Sequence, residues 1–262
     1  MVTIILVIYK SDKQKLSKFL KKIGNKFNII IIDNSYNYDF SDIKISNKVK
    51  IIRSKNIGNG AGINLGLSKC NTRFAIYSDI DVDFKKDVIN SLIKSAKKIK
   101  NFSVLIPNHG NIKSKKSFIK KFTGEASMML LNKQMIKKIG LFDEKFFLYF
   151  EELDLFYRSK KHNLDVYFLT KIKIKHNRAS SIKSFDTKNL RQWHYMWSMF
   201  YFYKKNFSYL YGLKKIFLYL LKDILRLLIS FLLFNIKDFK KRFYRIFGTI
   251  CSLLGVGSFL RP

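Results

Sequence analysis

FAIYSDIDVDF, residues 74–84, begins as a run of apolar and aromatic residues and ends in three carboxylates, Asp79, Asp81 and Asp83. A short continuous apolar run of this kind suits a strand buried on both faces. The acids then fall where that strand leaves its sheet. Two carboxylates two residues apart repel unless a cation sits between them, and hard divalent ions such as Mg²⁺ or Mn²⁺ prefer such oxygen ligands. Solvated loops carry the same Asp-x-Asp spacing, so the stretch by itself leaves both readings open.

Working outward, TIILVIY (3–9), NIIIID (28–33) and KIIRS (50–54) are three further strands. Between them lie helical patterns. Residues 11–23 place Leu16, Phe19, Leu20 and Ile23 on one face, 62–70 form a short helix, and 86–99 turn Val88, Leu92, Ile93 and Ala96 inward. Strands alternating with helices imply a parallel, doubly wound sheet, whose ligands sit at the carboxyl ends of the strands. Asp33, Asn34, Asp79 and Asp81 all occupy such ends. The glycines of NIGNGAGINLG (56–66) match neither a dinucleotide fingerprint nor a phosphate loop, because Ile63 follows Gly62 and no Gly-Lys-Ser/Thr comes after. They mark a sharp turn before a helix, which is either a tight connection or a set of amides for a phosphate.

Downstream the pattern changes. SVLIP (103–107) is a strand, a polar basic loop runs to Lys121, and SMMLL (127–131) is another strand followed by a helix. VYFL (166–169) and KIKIKH (171–176) read as two strands, the second ending at His176. A histidine there is structural, a neutral metal ligand, or a donor to a diphosphate. FFLYFEELDLFYR (146–158) sets Glu151, Glu152 and Asp154 among aromatic residues, in a chain with 18 acidic residues against 51 basic ones. A carboxylate beside apolar groups loses hydration, which raises its pKa and improves it as a general base. Acids at a helix start also complement the dipole with no further task, and Asp154 and Arg158 have the spacing of an ion pair.

From Leu190 the chain is helical and apolar. The longest uncharged run in the heart of this region, 227–236, is shorter than the roughly 20 residues that cross a bilayer. Lys215, Lys222 and Arg226 share one helix face, with Ile216, Phe217, Leu220, Ile224, Leu227 and Leu228 opposite. Residues 204–262 hold 12 basic and 2 acidic side chains. The pattern is that of an interfacial amphipathic helix on an anionic membrane, the alternative being a helix packed on the domain or on a second subunit.

The net charge of +33 is dominated by lysine, with abundant isoleucine and asparagine and only 2 prolines, so A/T-rich codon usage accounts for part of it. Nucleic-acid readers favour arginine, so no nucleic-acid partner is expected. Two cysteines, Cys70 and Cys251, make no disulfide framework and suit a reducing, cytosolic setting. The opening MVTIILVIYKS lacks a basic region and a cleavage site, and reads as a first strand rather than a signal peptide.

Taken in order, TIILVIYKS, IIIIDNS, NIGNGAGINLGL, YSDIDVDF, FTGEASMMLL, GLFDEKFFLYFEELDLFYR and the late His176 resemble the inverting family 2 glycosyltransferases, in particular their bacterial rhamnosyltransferase-like branch. The resemblance covers about residues 2–205. It implies a GT-A fold: an α/β, Rossmann-like mixed sheet flanked by helices. A nucleotide-sugar-binding half (1–100) joins an acceptor half (101–205), ahead of a basic amphipathic region (206–262). It further implies a nucleotide-diphosphate sugar donor and a glycan acceptor, lipid-linked at the inner face of the cytoplasmic membrane. Tyr9, Asp33 and Asn34 would lie at the nucleobase, and Asn56, Gly58 and Asn64 along the nucleotide and diphosphate. Asp79, Asp81 and His176 would hold Mg²⁺ or Mn²⁺, and Gly124 would open the acceptor side. Glu151 and Glu152 match an acidic pair, usually Glu-Asp, with Glu152 as general base. The sequence departs from the pattern at Glu152 and at Lys10, where the family often has asparagine. An inactive binding protein on the same fold, or a basic nucleic-acid-binding protein, are the alternatives.

Overall fold

The computed structural model describes residues 2–176 and 185–262. It divides into two compact units, residues 1–142 with 155–182 and residues 143–154 with 183–262.

The first unit is an α/β sheet. Strands β1 (Val2–Ile8), β2 (Asn28–Asp33), β3 (Val49–Arg53) and β4 (Phe74–Ser78) run parallel in the order β3-β2-β1-β4. The sheet then becomes mixed. It continues through β8 (Met128–Asn132), β6 (Phe102–Asn108), β9 (Asp165–His176) and β5 (Val82–Phe84), while β7 (Phe118–Lys120) pairs with β9. The parallel expectation holds for the four strands of the first half, and the sheet is mixed overall, as the resemblance implied, because β8 returns antiparallel to β4.

Isoleucine-rich strands alternate between two cores. Ile4, Leu6, Ile29 and Ile31 pack with α1 (Lys13–Ile23) and α3 (Val88–Lys98), while Ile5, Ile30 and Ile32 pack with α2 (Asn59–Ser68) and α4 (Lys133–Ile139). Helix α1 buries Leu16, Phe19, Leu20 and Ile23, as its spacing predicts, and starts where Asp12 accepts a hydrogen bond from Lys15 N at 3.0 Å. Helix α2 begins three residues earlier than its apolar pattern suggests, because the glycine-rich segment is itself helical.

Two expectations needed revision. The basic loop before Lys121 contains β7, a short strand with mostly exposed side chains that leave no periodic signal. The two strands read at 166–176 are one, β9, with an irregularity where its partner register jumps from Leu169 to Lys173.

The second unit is helical: α6 (Phe185–Asn206), α7 (Tyr209–Leu232) and α8 (Ile236–Leu253), with residues 143–154. Helix α6, read from sequence with the acceptor half, packs here on α7 and α8. Trp193, Trp197 and Cys251 form one core, and Met196, Met199, Phe200 and Ile216 another. Helix α5 (Glu151–Lys161) passes from this unit into the first, where Leu155 and Phe156 are fully buried. Among the described residues, no helix is long and apolar enough to cross a membrane.

Candidate active site

The carboxyl end of β4 is where the chemistry gathers. After Ser78 the chain turns sharply, with Asp79 N bonded to Ser127 O (2.8 Å) and Val82 N to Asp79 O (3.4 Å). Strand β5 follows at once and pairs antiparallel with the end of β9, so that Val82 stands opposite His176. This pairing carries a histidine 95 residues away in sequence to the acidic turn. His176 Nε2 lies 3.1 Å from Asp81 Oδ1 and 3.7 Å from Asp79 Oδ2. One ligand atom from each of the three residues falls within 4.8 Å of the others. Two carboxylate oxygens and one imidazole nitrogen on a partly exposed turn form an open donor set that suits Mg²⁺ or Mn²⁺, with positions left for substrate oxygens.

Sequence reasoning missed Glu125. Its Oε1 lies 2.5 Å from His176 Nδ1, so the imidazole bridges two carboxylates. A carboxylate on the far nitrogen fixes the tautomer and orientation of a ligating histidine. The hydrogen bond to Asp81, together with Glu125 and against the opposing effect of burial, raises His176 to about 9. The one visible signal was an acid beside Gly124 in an acid-poor chain. Gly124 has φ +147°, and a Cβ there would meet the Phe168 ring at 2.6 Å. Glycine thus lets the Glu125 loop pass over β9.

Tyr77 was also missed, although it points to the same strand face as Asp79, two residues on. Its hydroxyl contacts Asp79 Oδ1 and lies 3.0 Å from Asn59 Oδ1, the first residue of α2. That contact ties the N-terminus of α2 to the acidic turn. Gly58 caps this helix with φ 94° and a buried backbone, and Gly58 N lies 3.4 Å from Asn56 Oδ1. Free amides at a helix start favour an anion.

At the ends of β1 and β2, Asp33 is fully buried and accepts from Ser35 N (2.8 Å) and Tyr38 N (3.0 Å). Asn34 donates to Gly58 O (3.1 Å), while its Oδ1 and the Tyr38 hydroxyl are buried with no hydrogen-bond partner among the described residues. Orphaned buried acceptors and donors suit a ligand with polar edges. Tyr9, half-buried, follows Ile8, whose carbonyl accepts from Asn34 N at 2.9 Å, and lies under Lys10 Nζ at 5.1 Å. Asn64 stands apart. Its amide bonds Phe142 O (2.9 Å) and Phe142 N (3.0 Å), stapling α2 to the segment after α4.

In the second unit, Glu151 is buried and Glu152 half-buried in the acidic first turn of α5. Tyr149 and Phe150, just before them, adopt φ of 69° and 68°. Two successive aromatic residues in the left-handed region are strained, and such strain concentrates at functional turns. Asp154 is fully buried against Lys205 Nζ (2.8 Å) and Asn206 Nδ2 (2.9 Å). Arg158, in the first unit, donates to the carbonyls of Ile139, Gly140 and Leu141 at 2.8, 2.6 and 2.7 Å, closing the C-terminus of α4. Both residues of the Asp-Leu-x-x-Arg motif therefore have structural partners.

Residues 3–163 match the family described as Glycosyl transferase family 2. The chain belongs to that family. Among curated proteins it is similar to the low-salt glycan biosynthesis hexosyltransferase Agl10 of Haloferax volcanii, 20% identical over 196 residues. That match covers 63% of this chain and 63% of the relative's length. Among solved structures, GalNAc-T7 with UDP, GalNAc and Mn²⁺ superposes with a TM-score of 0.59 at 13% identity, covering 82% of this chain and 56% of that one. The mannosyltransferase PcManGT of Pyrobaculum calidifontis, with GDP-Man and Mn²⁺, gives 0.58 at 9% identity, covering 97% and 87%. The fold is GT-A.

Proposed function

We propose that this glycosyltransferase moves a hexose from a nucleotide-diphosphate sugar to a glycan acceptor with inversion at the anomeric carbon. The observation that carries the reading is the Asp79–Asp81–His176 cluster, tied through Tyr77 to the N-terminus of α2. Asp79, Asp81 and His176 hold Mn²⁺ or Mg²⁺, and Glu125 keeps the His176 ring aimed at it. A cation bound there neutralises charge on the leaving diphosphate. Asn56 and the amides after Gly58 receive the diphosphate, and Tyr9, Asp33 and Asn34 receive the nucleobase. Gly124 shapes the acceptor side. Glu152 takes the proton from the attacking hydroxyl. Glu151 supports that turn, and Asp154 anchors the start of α5 through Lys205 and Asn206. The acceptor is a lipid-linked surface glycan at the inner face of the cytoplasmic membrane, in keeping with the rhamnosyltransferase-like motifs.

The test is release of nucleoside diphosphate from a panel of UDP-, GDP- and dTDP-sugars with Mn²⁺, supported by calorimetric binding. One donor should turn over only with metal. Asp81→Ala should abolish turnover, and Glu152→Gln should lower it by about 10²–10⁴-fold while leaving donor binding intact. Absence of any nucleotide binding, with or without metal, would defeat the proposal.

A further inference from the structure

Helix α7 is inverted relative to an ordinary surface helix. It buries Gly212, Ile216, Asp223 and Ser230, recurring at four and seven residues, and three of these four are small or polar. Asp223, 2% exposed, receives Arg242 Nη1 and Arg245 Nε, each at 2.8 Å. Arg245 Nη1 also donates to Gln192 Oε1 at 3.0 Å, so the ion cluster joins all three helices of the unit. The polar side of α7 is thus used internally.

Its outer side is apolar. Leu218 (71% exposed), Leu225 (52%), Ile229 (54%) and Leu232 (72%) recur at seven, four and three residues and form one stripe, flanked by Phe217 and Leu228. Lys215, Lys222 and Arg226, all exposed, run along one border of it. Of the six apolar residues read opposite these cations, Phe217, Ile224 and Leu228 are exposed, Leu220 and Leu227 half-buried and Ile216 buried, so the sequence pattern did not single out the outward stripe. A contiguous apolar stripe of this length marks an interaction surface.

Charge chooses the occupant. A second copy packed antiparallel across this stripe would bring the Lys215–Lys222–Arg226 border against its own symmetry mate and incur like-charge repulsion. An anionic bilayer satisfies both features: the leucines enter the acyl boundary and the cations meet phosphates. The helix carries too many charges to cross.

We infer that α7 lies in the plane of an anionic membrane surface, with the Leu218–Leu225–Ile229–Leu232 stripe embedded and Lys215, Lys222 and Arg226 at the headgroups. This deepens the membrane location proposed above, and its test involves no donor or catalysis, so either reading can fail alone.

The full chain is floated with phosphatidylcholine vesicles and with vesicles that also contain phosphatidylglycerol. It should float with the mixed vesicles. Leu218→Glu/Leu225→Glu should reduce bound protein at least tenfold with an unchanged thermal melt. Lys222→Glu/Arg226→Glu should lose roughly tenfold, confined to the anionic vesicles. A Leu225→Trp variant provides a readout independent of the charge reversals, since brominated acyl chains should quench its added emission. No flotation, no quenching, or undiminished binding by the double glutamate variant overturns the inference. So does a dimer in vesicle-free buffer that the double glutamate variant converts to monomer, which would assign the face to a second copy.

Discussion

Lys10 adopts φ 45°, a left-handed conformation that costs an ordinary residue about 1–2 kcal/mol and asparagine less. Its amide reaches Ser35 Oγ at 2.6 Å, which holds the turn after β1 against the end of β2. The departure from the asparagine common in the family thus has a local cost. Lys10→Asn should raise the melting temperature, by an amount equivalent to at most about 1 kcal/mol, offset in part by removal of the cation–π attraction between Lys10 and the Tyr9 ring. A lower melting temperature would show that the lysine head contributes more than the backbone strain. His194 makes a second case. It is buried, with Nε2 2.9 Å from Leu260 O and Nδ1 3.1 Å from Ser258 Oγ, the pattern of a neutral ring that donates at Nε2 and accepts at Nδ1. Burial lowers its pKa to about 4. The unfolded chain binds this proton near pH 6.5 and the folded chain does not, so stability falls as pH drops from about 6.5 to about 4. The loss approaches roughly 3 kcal/mol at the acid end. His194→Gln should flatten that part of a melting-temperature profile, and an unchanged slope would assign acid sensitivity elsewhere.

At the scale of elements, close approach explains the glycines that sequence motifs could not. Gly62 and Gly66 lie on the face of α2 toward β1, where a Cβ would come within 2.8 Å of Val7 Cγ1 and 2.5 Å of Ile5 Cγ2. Gly66→Ala should therefore destabilise by about 1–3 kcal/mol in chemical denaturation, because neither β-branched neighbour can retreat in a filled core. An unaltered midpoint would mean that α2 slides along the strand instead. Asp223 is the opposite kind of constraint. Asp223→Ala would leave Arg242 and Arg245 buried without their shared carboxylate, a loss of roughly 3–5 kcal/mol. Periodicity made the β1, β2 and α1 cores readable, because each buries a continuous or regularly spaced apolar set. It failed where pairing rather than side-chain pattern defines the element, as in the exposed β7 and at the irregularity in β9. The acidic turn and His176 were legible by residue type. Glu125 was not, since only the β5–β9 pairing and the Gly124 loop bring it to the imidazole.

For the whole molecule, a chain of net charge +33 repels cations, so any divalent binding must come from a local field strong enough to oppose the global one. Asp79, Asp81 and Glu125 supply that field around a single imidazole. Mn²⁺ at about 100 times its dissociation constant should stabilise the protein by about 2.7 kcal/mol, raising the melting temperature by several degrees, with chelator reversing the shift. Sodium chloride at matched ionic strength controls for screening of the lysine surface, which also relieves self-repulsion and raises stability without occupying a site. The discriminating comparison is Asp81→Ala. Site binding predicts that this variant keeps the salt response and loses the manganese-specific part, whereas equal manganese shifts in both proteins would place the cation away from the acidic turn.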